Sequence, residues 1–596
     1  MQKPLQRRLI TNKSPWFLIS IVAILIFLRW SSPNRVEALA PVDRSDTVIF
    51  GAGPDFAPPV FNWMVPSFSG PGMGQSVWEP LFILNYETGK IEPWLGLSFT
   101  ANQELNVWTL KLRAGIKWAD GESYDAADVV FTIETLLNDK TQTLIEAASM
   151  QGWVRRVDQI DDLTVRFELK HPNPRFQQDY FSVGVGSSMA WSLIILPKHV
   201  WQDQDPFTFE NFDLQRGWPL GTGPYRLVQA TGREFTYDRR DDWWGIEVGF
   251  KDLPQPKRLR WIVTGTEESR SMLAASDELD VIGNLTLGAF EAVRNMNPNL
   301  VPWQEEMPYI WLDPCPRQLS LNHQVKPWDQ ADMRHAISLI IDRQQVVRIA
   351  YEGLSFPSKS IFVEYEAMTP FIEEIRELWV PSDSDINTAR QIIESHGWQL
   401  GAKNFYQKSG QVLSLNIQTY AAGIKLRRVG AVVVEQLRAA GIDASTRPIE
   451  RSTWNENKAF GNFEAVIDWD ACGSVNEPWV SMNRFTSQYY RPLNKRAMSS
   501  NNFVRWRGKG NDRYSQLVAE IGVLPLGNAK VIPLFQEAMR IFMAEQVVVP
   551  LNQAIMLIPF NKTYWKGWPT AKNNYIHPPM WWMSGHRIIH QIEKNE

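Results

Sequence analysis

Cysteine is scarce in this chain: 596 residues hold two, Cys315 and Cys472. Neither lies near the N-terminus, which excludes lipid attachment through a lipobox cysteine. No apolar stretch reaches the roughly 20 residues that a membrane-spanning helix requires. Charge of one sign is also missing. The net charge is −4, and the basic residues Lys3, Arg7, Arg8, Lys13, Arg29 and Arg35 crowd into the first 38 positions against Glu37 alone. The remainder therefore carries about −9, a poor match for nucleic acid. The glycines contain no GxxxxGK[S/T], so a phosphate loop is not supported. Neither GxSxG nor HExxH occurs, which removes the usual signatures of a serine hydrolase and a zinc protease. Internal repeats and long low-complexity tracts are absent as well.

What is present begins with an export-like leader. Basic residues precede the apolar run Trp16–Leu28, and Arg29 ends it. Its 13 residues suit the core of a signal peptide better than a membrane span. Val36-Glu37-Ala38 offers small residues for cleavage, so 1–38 is expected to be a signal peptide. Hydrophobic content of 44% and charged content of 21% are globular values, and the length suits several lobes.

The most readable stretch is Val107–Asn138. Trp108, Leu110 and Leu112 alternate with polar neighbours as in a half-buried strand. Ala114-Gly115 and Asp120-Gly121 supply turns around a second short strand. Asp125 is placed to cap a helix, with Asp128 in its first turn. Val129, Ile133, Leu136 and Leu137 give that helix its stripe. Further on, Thr47–Phe50, Leu163–Leu169, Leu319–His323, Phe463–Asp468 and Val547–Ile558 read as strands, and Met333–Val347 as one helix. The pattern of strand Val412–Tyr420, helix Lys425–Ala440 stopped by Gly441, and strand Ile442–Ile449 is βαβ, which argues for a parallel or mixed sheet.

The wording of several segments resembles family 5 of the bacterial extracellular solute-binding proteins. The carriers are Lys117-Trp118-x-Asp120-Gly121 followed by Ala127-Asp128-Val129-Val130-Phe131-Thr132, then Trp78-Glu79-Pro80-Leu81-Phe82 with Pro93-Trp94-Leu95-Gly96. Gly221-Thr222-Gly223-Pro224-Tyr225 and the stretch from Asn322 through Lys326-Pro327-Trp328-Asp329 to Ile341-Asp342-Arg343 complete the set. The resemblance implies an α/β, two-lobed periplasmic-binding-protein fold of the large type, with an extra subdomain inserted in lobe one. Lobe one would take 41–83, 201–314 and the C-terminal return 549–596. The subdomain would take 84–200 and lobe two 315–548. It further implies a periplasmic monomer without cofactor or enzymatic activity. Its partners would be an oligosaccharide or peptide ligand, an ABC permease and separate ATPase subunits.

Oligopeptide-binding relatives place one cysteine seven residues before the lobe-two asparagine and another four before Asn-Glu-Pro. Cys315 precedes Asn322 by seven and Cys472 precedes Asn476 by four, so the resemblance implies a Cys315–Cys472 disulfide. From the residues alone, two buried free thiols remain the alternative. Peptide-binding relatives also carry an aspartate where this chain has Ser474, and a neutral hydroxyl cannot form that charge-assisted bond to an α-ammonium. The candidate ligand site is therefore Asp468, Trp469, Asp470, Ser474, Asn476, Glu477 and Trp479, joined by Asn62, Trp63 and Trp78 from the loop that lies near the cleft in the family. Each of the last three has packing as its bland alternative.

Trp faces stack on pyranose rings, and Asn, Asp and Glu satisfy hydroxyls. With 27 Trp in the chain, and with Asn483-Arg484-Phe485 and Asn501–Trp506 resembling the cello-oligosaccharide-binding branch, an oligosaccharide stands slightly ahead of an oligopeptide. Two rival readings stay open. Asp468, Asp470 and Glu477 could be imagined as the carboxylates of a glycosidase. His586 and His590, four apart, could share a helix face toward a metal such as chelated nickel, although surface histidines are the plainer expectation.

Overall fold

The computed structural model describes residues 39–53, 56–183, 192–469, 471–497, 500–578 and 585–595. The expected signal peptide, 1–38, lies outside them. Residues from Asp43 onward form one compact unit.

Strand β1 (Thr47–Ala52) is buried along its whole length. The chain then enters a small antiparallel sheet made of β2 (Gly96–Ala101) and β3 (Val107–Leu112), helix α1 (Ala126–Asn138), β4 (Val154–Asp161) and β5 (Thr164–Leu169). The sheet order is β2-β3-β5-β4. As the alternation predicts, Trp108, Leu110 and Leu112 are buried, and so are Val129, Ile133 and Leu136. The cap of α1 is a reciprocal box. Asp125 accepts from the backbone N–H of Ala127 at 2.7 Å, and Asp128 accepts from that of Asp125 at 3.1 Å. Between β3 and α1 the second strand shrinks to a single bridge, Lys117↔Ser123.

Strands β6 (Tyr225–Ala230), β7 (Glu234–Arg239) and β8 (Arg258–Val263) return to β1 in the order β1-β8-β7-β6, with β1 and β8 parallel. The Gly-Thr-Gly-Pro-Tyr turn before β6 is read directly off this packing. A Cβ on Gly221 would lie 2.2 Å from the Val77 carbonyl oxygen, and one on Gly223 would lie 2.3 Å from that of Ser76. Only glycine lets these two backbones approach so closely.

The chain crosses on β9 (Trp311–Leu321). Helices α2 (Ala331–Ile340) and α3 (Arg343–Ala350) follow as two elements, which corrects the single helix expected over Met333–Val347. Asp342 caps α3 through the Gln345 N–H at 2.8 Å. The buried Arg343 guanidinium takes the carbonyls of Ser338 and Ile341 that a continuous helix would have bonded internally. Next come β10 (Ser414–Tyr420), α4 (Ile424–Ala439), β11 (Asp443–Ile449), α5 (Arg451–Phe460) and β12 (Ala465–Asp468). The expected stripe of α4, Leu426, Val429, Val433 and Leu437, is buried. After helices α6 (Lys509–Val523) and α7 (Val531–Ala544), the chain returns on β13 (Val549–Met556).

These strands form one sheet, β11-β10-β12-β9-β13, in which β10 is parallel to both neighbours while β9 pairs antiparallel with β12 and β13. The sheet is mixed, as the βαβ pattern allows. The outgoing and returning connections, β9 and β13, run side by side from Leu319↔Val549 to Trp311↔Met556. Beyond β13, Phe560 bridges Val281, and Trp565 donates its ring N–H to the Thr47 carbonyl at 3.0 Å, which brings the C-terminus back onto the first sheet. Leu84, Tyr86, Trp303, Trp311, Tyr365 and Val475 pack as one apolar cluster with Cys315 and Cys472. Among the described residues, no helix is long and apolar enough to cross a membrane.

Candidate functional site: the loop after strand β12

Strand β12 is short and fully buried, and its end delivers the chain into the segment that carries Cys472. Cys315 of β9 and Cys472 of this loop form a disulfide across a sequence separation of 157. Closing a loop of that length restricts the unfolded chain enough to stabilise by about 5 kcal/mol in the chain-entropy picture. The segment after β12 is thereby fastened to β9.

Ser474 is buried and its hydroxyl is already used. It accepts from the Ser481 N–H at 3.1 Å, and the Ser481 hydroxyl accepts from the Ser474 N–H at 3.1 Å. Asn476, Glu477 and Trp479 meet residues from the segments around Gly89 and Arg175. Asn476 donates to the Gly89 carbonyl at 3.1 Å and accepts from Gln178 at 3.1 Å. Glu477 accepts from Arg175 at 3.0 Å, with both side chains buried. The same guanidinium donates to the carbonyls of Ile521 and Gly522 at the end of α6 and lies 5.1 Å over the Trp479 ring. Beside them Asp179 is pushed up to about 8, chiefly by burial; the Arg175 charge works against that rise and the Glu477 charge adds to it. Arg175, Gln178 and Asp179 carried no signal in the sequence, because nothing local marks a subdomain loop that meets a segment some 300 residues away.

Asp468 is buried on the sheet face that also holds Lys458 of α5. Burial raises its carboxyl, opposed by the Lys458 charge, while burial lowers the lysine. Trp469 is half-buried, 5.1 Å from Trp454 and 6.5 Å from Tyr420 between ring centroids. Asp470 lies outside the described residues. The lobe-one candidates sit within packing. Asn62 donates to the carbonyls of Pro206 and Phe209 and accepts from the Met64 N–H. Trp63 and Trp78 are core residues, and Trp78 donates to the Leu220 carbonyl at 3.1 Å.

The motif glutamate, Glu79, has a distinct position. Fully buried, it accepts from the ring N–H groups of Trp94 and Trp244 at 2.9 Å each. Burial lifts its carboxyl to about 7 against those bonds. The motif residues Glu79 and Trp94 thus meet with Trp244 in one structural knot. His586 and His590 are not a surface pair, contrary to the plainer expectation. His586 is wholly buried and bonded to the Trp78 carbonyl, and His590 is half-buried, its ring tilted 4.9 Å from Trp243 and 5.9 Å from Trp94. Burial holds their imidazoles down to about 4 and about 3. Among the described residues, no group of three His, Cys, Asp or Glu side chains is arranged to hold a metal ion.

Residues 90–491 match the model of the bacterial extracellular solute-binding proteins, family 5. The chain belongs to this family. Membership makes it a substrate-binding subunit of the ABC-importer type, extracytoplasmic like the rest of the family, and family members are transport proteins rather than enzymes. The two-lobed fold is shared with a periplasmic oligopeptide-binding protein of Thermotoga maritima, at a TM-score of 0.82 and 22% identity, covering 93% of this chain and 100% of that one. The mannohexaose-bound structure from the same organism aligns at a TM-score of 0.78, again at 22% identity and the same coverage. The nickel-binding periplasmic protein of Escherichia coli is 22% identical over 406 residues, 66% of this chain and 69% of that protein. Across other curated relatives the chain spans between 50% and 74% of their length, with 60% and 62% for two of them.

Proposed function

We propose that this chain, exported by the leader 1–38, captures an oligosaccharide in the cleft between its lobes and presents it to a permease powered by separate ATPase subunits. An oligopeptide is the second choice. The observation that carries the preference is Ser474. The residue at this position is neutral, buried and reciprocally bonded to Ser481, so it offers nothing to a peptide's α-ammonium, which wants a carboxylate. Half-exposed Trp469, in contrast, suits an apolar ring face. On this reading Asp468, Trp469 and Asp470 lie nearest the ligand. Asn476, Glu477 and Trp479 secure closure, while Asn62, Trp63 and Trp78 support the wall of lobe one.

Ligand shifts the population toward the closed form only through its preference for that form. The rival hydrolase reading draws no support from the family's role in transport. A melting screen of the purified mature protein over cello- and manno-oligosaccharides, peptides and nickel tests the proposal. A saturating sugar at one hundred times its Kd should stabilise by about 2.7 kcal/mol, with one equivalent bound and no product formed. Stabilisation by peptides alone, or turnover of the sugar, rejects it. N-terminal sequencing of the periplasmic protein checks cleavage near Ala38.

A further inference from the structure

Beside the segment after β12, two buried carboxyl groups face one guanidinium. Asp179 sits on the π-helical turn Gln177–Phe181, and Glu477 precedes the helix Trp479–Asn483. Each is 6% exposed, and Arg175 is 1% exposed. The Arg175 guanidinium donates to Glu477 at 3.0 Å and to the carbonyls of Ile521 and Gly522 at 3.2 and 3.1 Å. Asp179 Oδ1 and Glu477 Oε1 are sealed from solvent and have no hydrogen-bond partner among the described residues.

The other neighbours, among the described residues, supply no second cation. Glu146, ahead of the helix Ala147–Trp153, adds a further negative charge. The phenols of Tyr180 and Tyr489 also face Asp179, and burial raises both, so neither is ionised near neutrality. Arg484 acts on the Tyr489 phenol. A carboxylate buried without its own counterion is costly enough that it takes a proton instead. Burial carries the Asp179 carboxyl to about 8, against the pull of Arg175 and with a push from Glu477 and Glu146.

We infer that the Asp179–Glu477 pair takes up one proton as the cleft closes, so that acid favours closure and ligand capture. The inference rests on the reading above, in which 84–200 belong to lobe one and 315–548 to lobe two. Arg175, Gln178 and Asp179 then come from one side of the cleft, and Asn476, Glu477 and Tyr489 from the other. Opening parts them and returns Asp179 to water, where an aspartyl group titrates near about 3.9. From about pH 4 to about pH 8 the closed form holds a proton that the open form lacks. Each unit of acidification in that window strengthens closure by up to about tenfold, and outside it the effect vanishes.

Calorimetry counts the proton. Mannohexaose and cellohexaose carry no titrating group near neutrality, so any proton taken up on binding goes to the protein. Each is titrated at pH 7 into mature protein in phosphate and in Tris, whose ionisation heats differ, and Kd is compared at pH 5 and pH 7. The native protein should take up about 0.9 proton per sugar at pH 7 and bind roughly 10- to 100-fold more tightly at pH 5. Asp179→Asn keeps the shape of the neutral carboxyl and cannot titrate, so it should lose both the uptake and that gain. Glu477→Gln leaves Arg175 free to pair with Asp179 and should also lower the uptake. Cooperative melts show that both variants are folded. An uptake unchanged in either variant overturns the inference while the sugar reading stands. If the protein binds a nonapeptide and neither sugar, the sugar reading falls. The difference in proton uptake between native protein and Asp179→Asn, taken on the peptide, then decides the inference. Binding of none of the three rejects capture in the cleft, and the inference with it.

Discussion

Arg175 and Glu477, 302 residues apart in sequence, meet at 3.0 Å with both side chains buried. Breaking such a pair from one side leaves a buried charge without a counterion, which typically costs about 3–5 kcal/mol, whereas removing both charges costs much less. Arg175→Met should therefore lower the unfolding free energy by roughly 3–5 kcal/mol, and Arg175→Met with Glu477→Leu should recover part of that loss. Denaturant titration of the double-mutant cycle checks this. Additive losses would mean that the two residues do not act as a pair.

The Cys315–Cys472 bond predicts a thiol count. The native protein should expose no reactive thiol in denaturant and two after reduction, as the chain holds two cysteines in all. Cys315→Ser with Cys472→Ser should lower stability by about 2–5 kcal/mol, read from denaturation midpoints. Ligand affinity should weaken as well, because the loop is no longer tied to β9.

Gly221→Ala and Gly223→Ala should each destabilise by about 1–3 kcal/mol or more, since the added methyl meets a backbone carbonyl rather than a yielding side chain. Thermal melts of the two variants, with Gly232→Ala as a control whose Cβ would meet nothing, provide the comparison. A control that melts as low as the others would refute the argument from close approach.

His577 is buried against Tyr86, with ring centroids 4.2 Å apart. Burial, aided by the Arg587 charge, holds its imidazole down to about 3. Unfolded, the ring titrates near 6.5. Its contribution is complete above pH 6.5 and is lost as pH falls toward 3, because the unfolded chain takes up a proton that the folded one refuses. By pH 5 that amounts to about 2 kcal/mol. His577→Phe keeps a ring on Tyr86 and removes the titration. Between pH 7 and pH 5 the unmodified protein should lose about 2 kcal/mol more than the variant in urea denaturation. Equal losses would assign the acid sensitivity to other groups.

Local chemistry was legible in the sequence, and long-range pairing was not. The period of Trp108, Leu110 and Leu112, the cap at Asp125 and the stripe of α4 each depend on neighbours within one turn or strand. The break between α2 and α3 was also written locally, in Asp342, but a continuous apolar pattern masked it. The disulfide could be reached only through resemblance to a family, since spacing does not report proximity. Arg175 looked like any surface arginine, and His586 like a surface histidine, because their burial depends on segments hundreds of residues away. Trp454 and Tyr420 read as ordinary members of a helix and a strand; only the fold brings them to the end of β12.

The adjacency of β9 and β13 has a mechanical consequence. Two strands zipped into one ladder make a ribbon that resists shearing more than twisting. The covalent tether at Cys315 grips that ribbon. A twist of the ribbon therefore carries the segment around Cys472 with it.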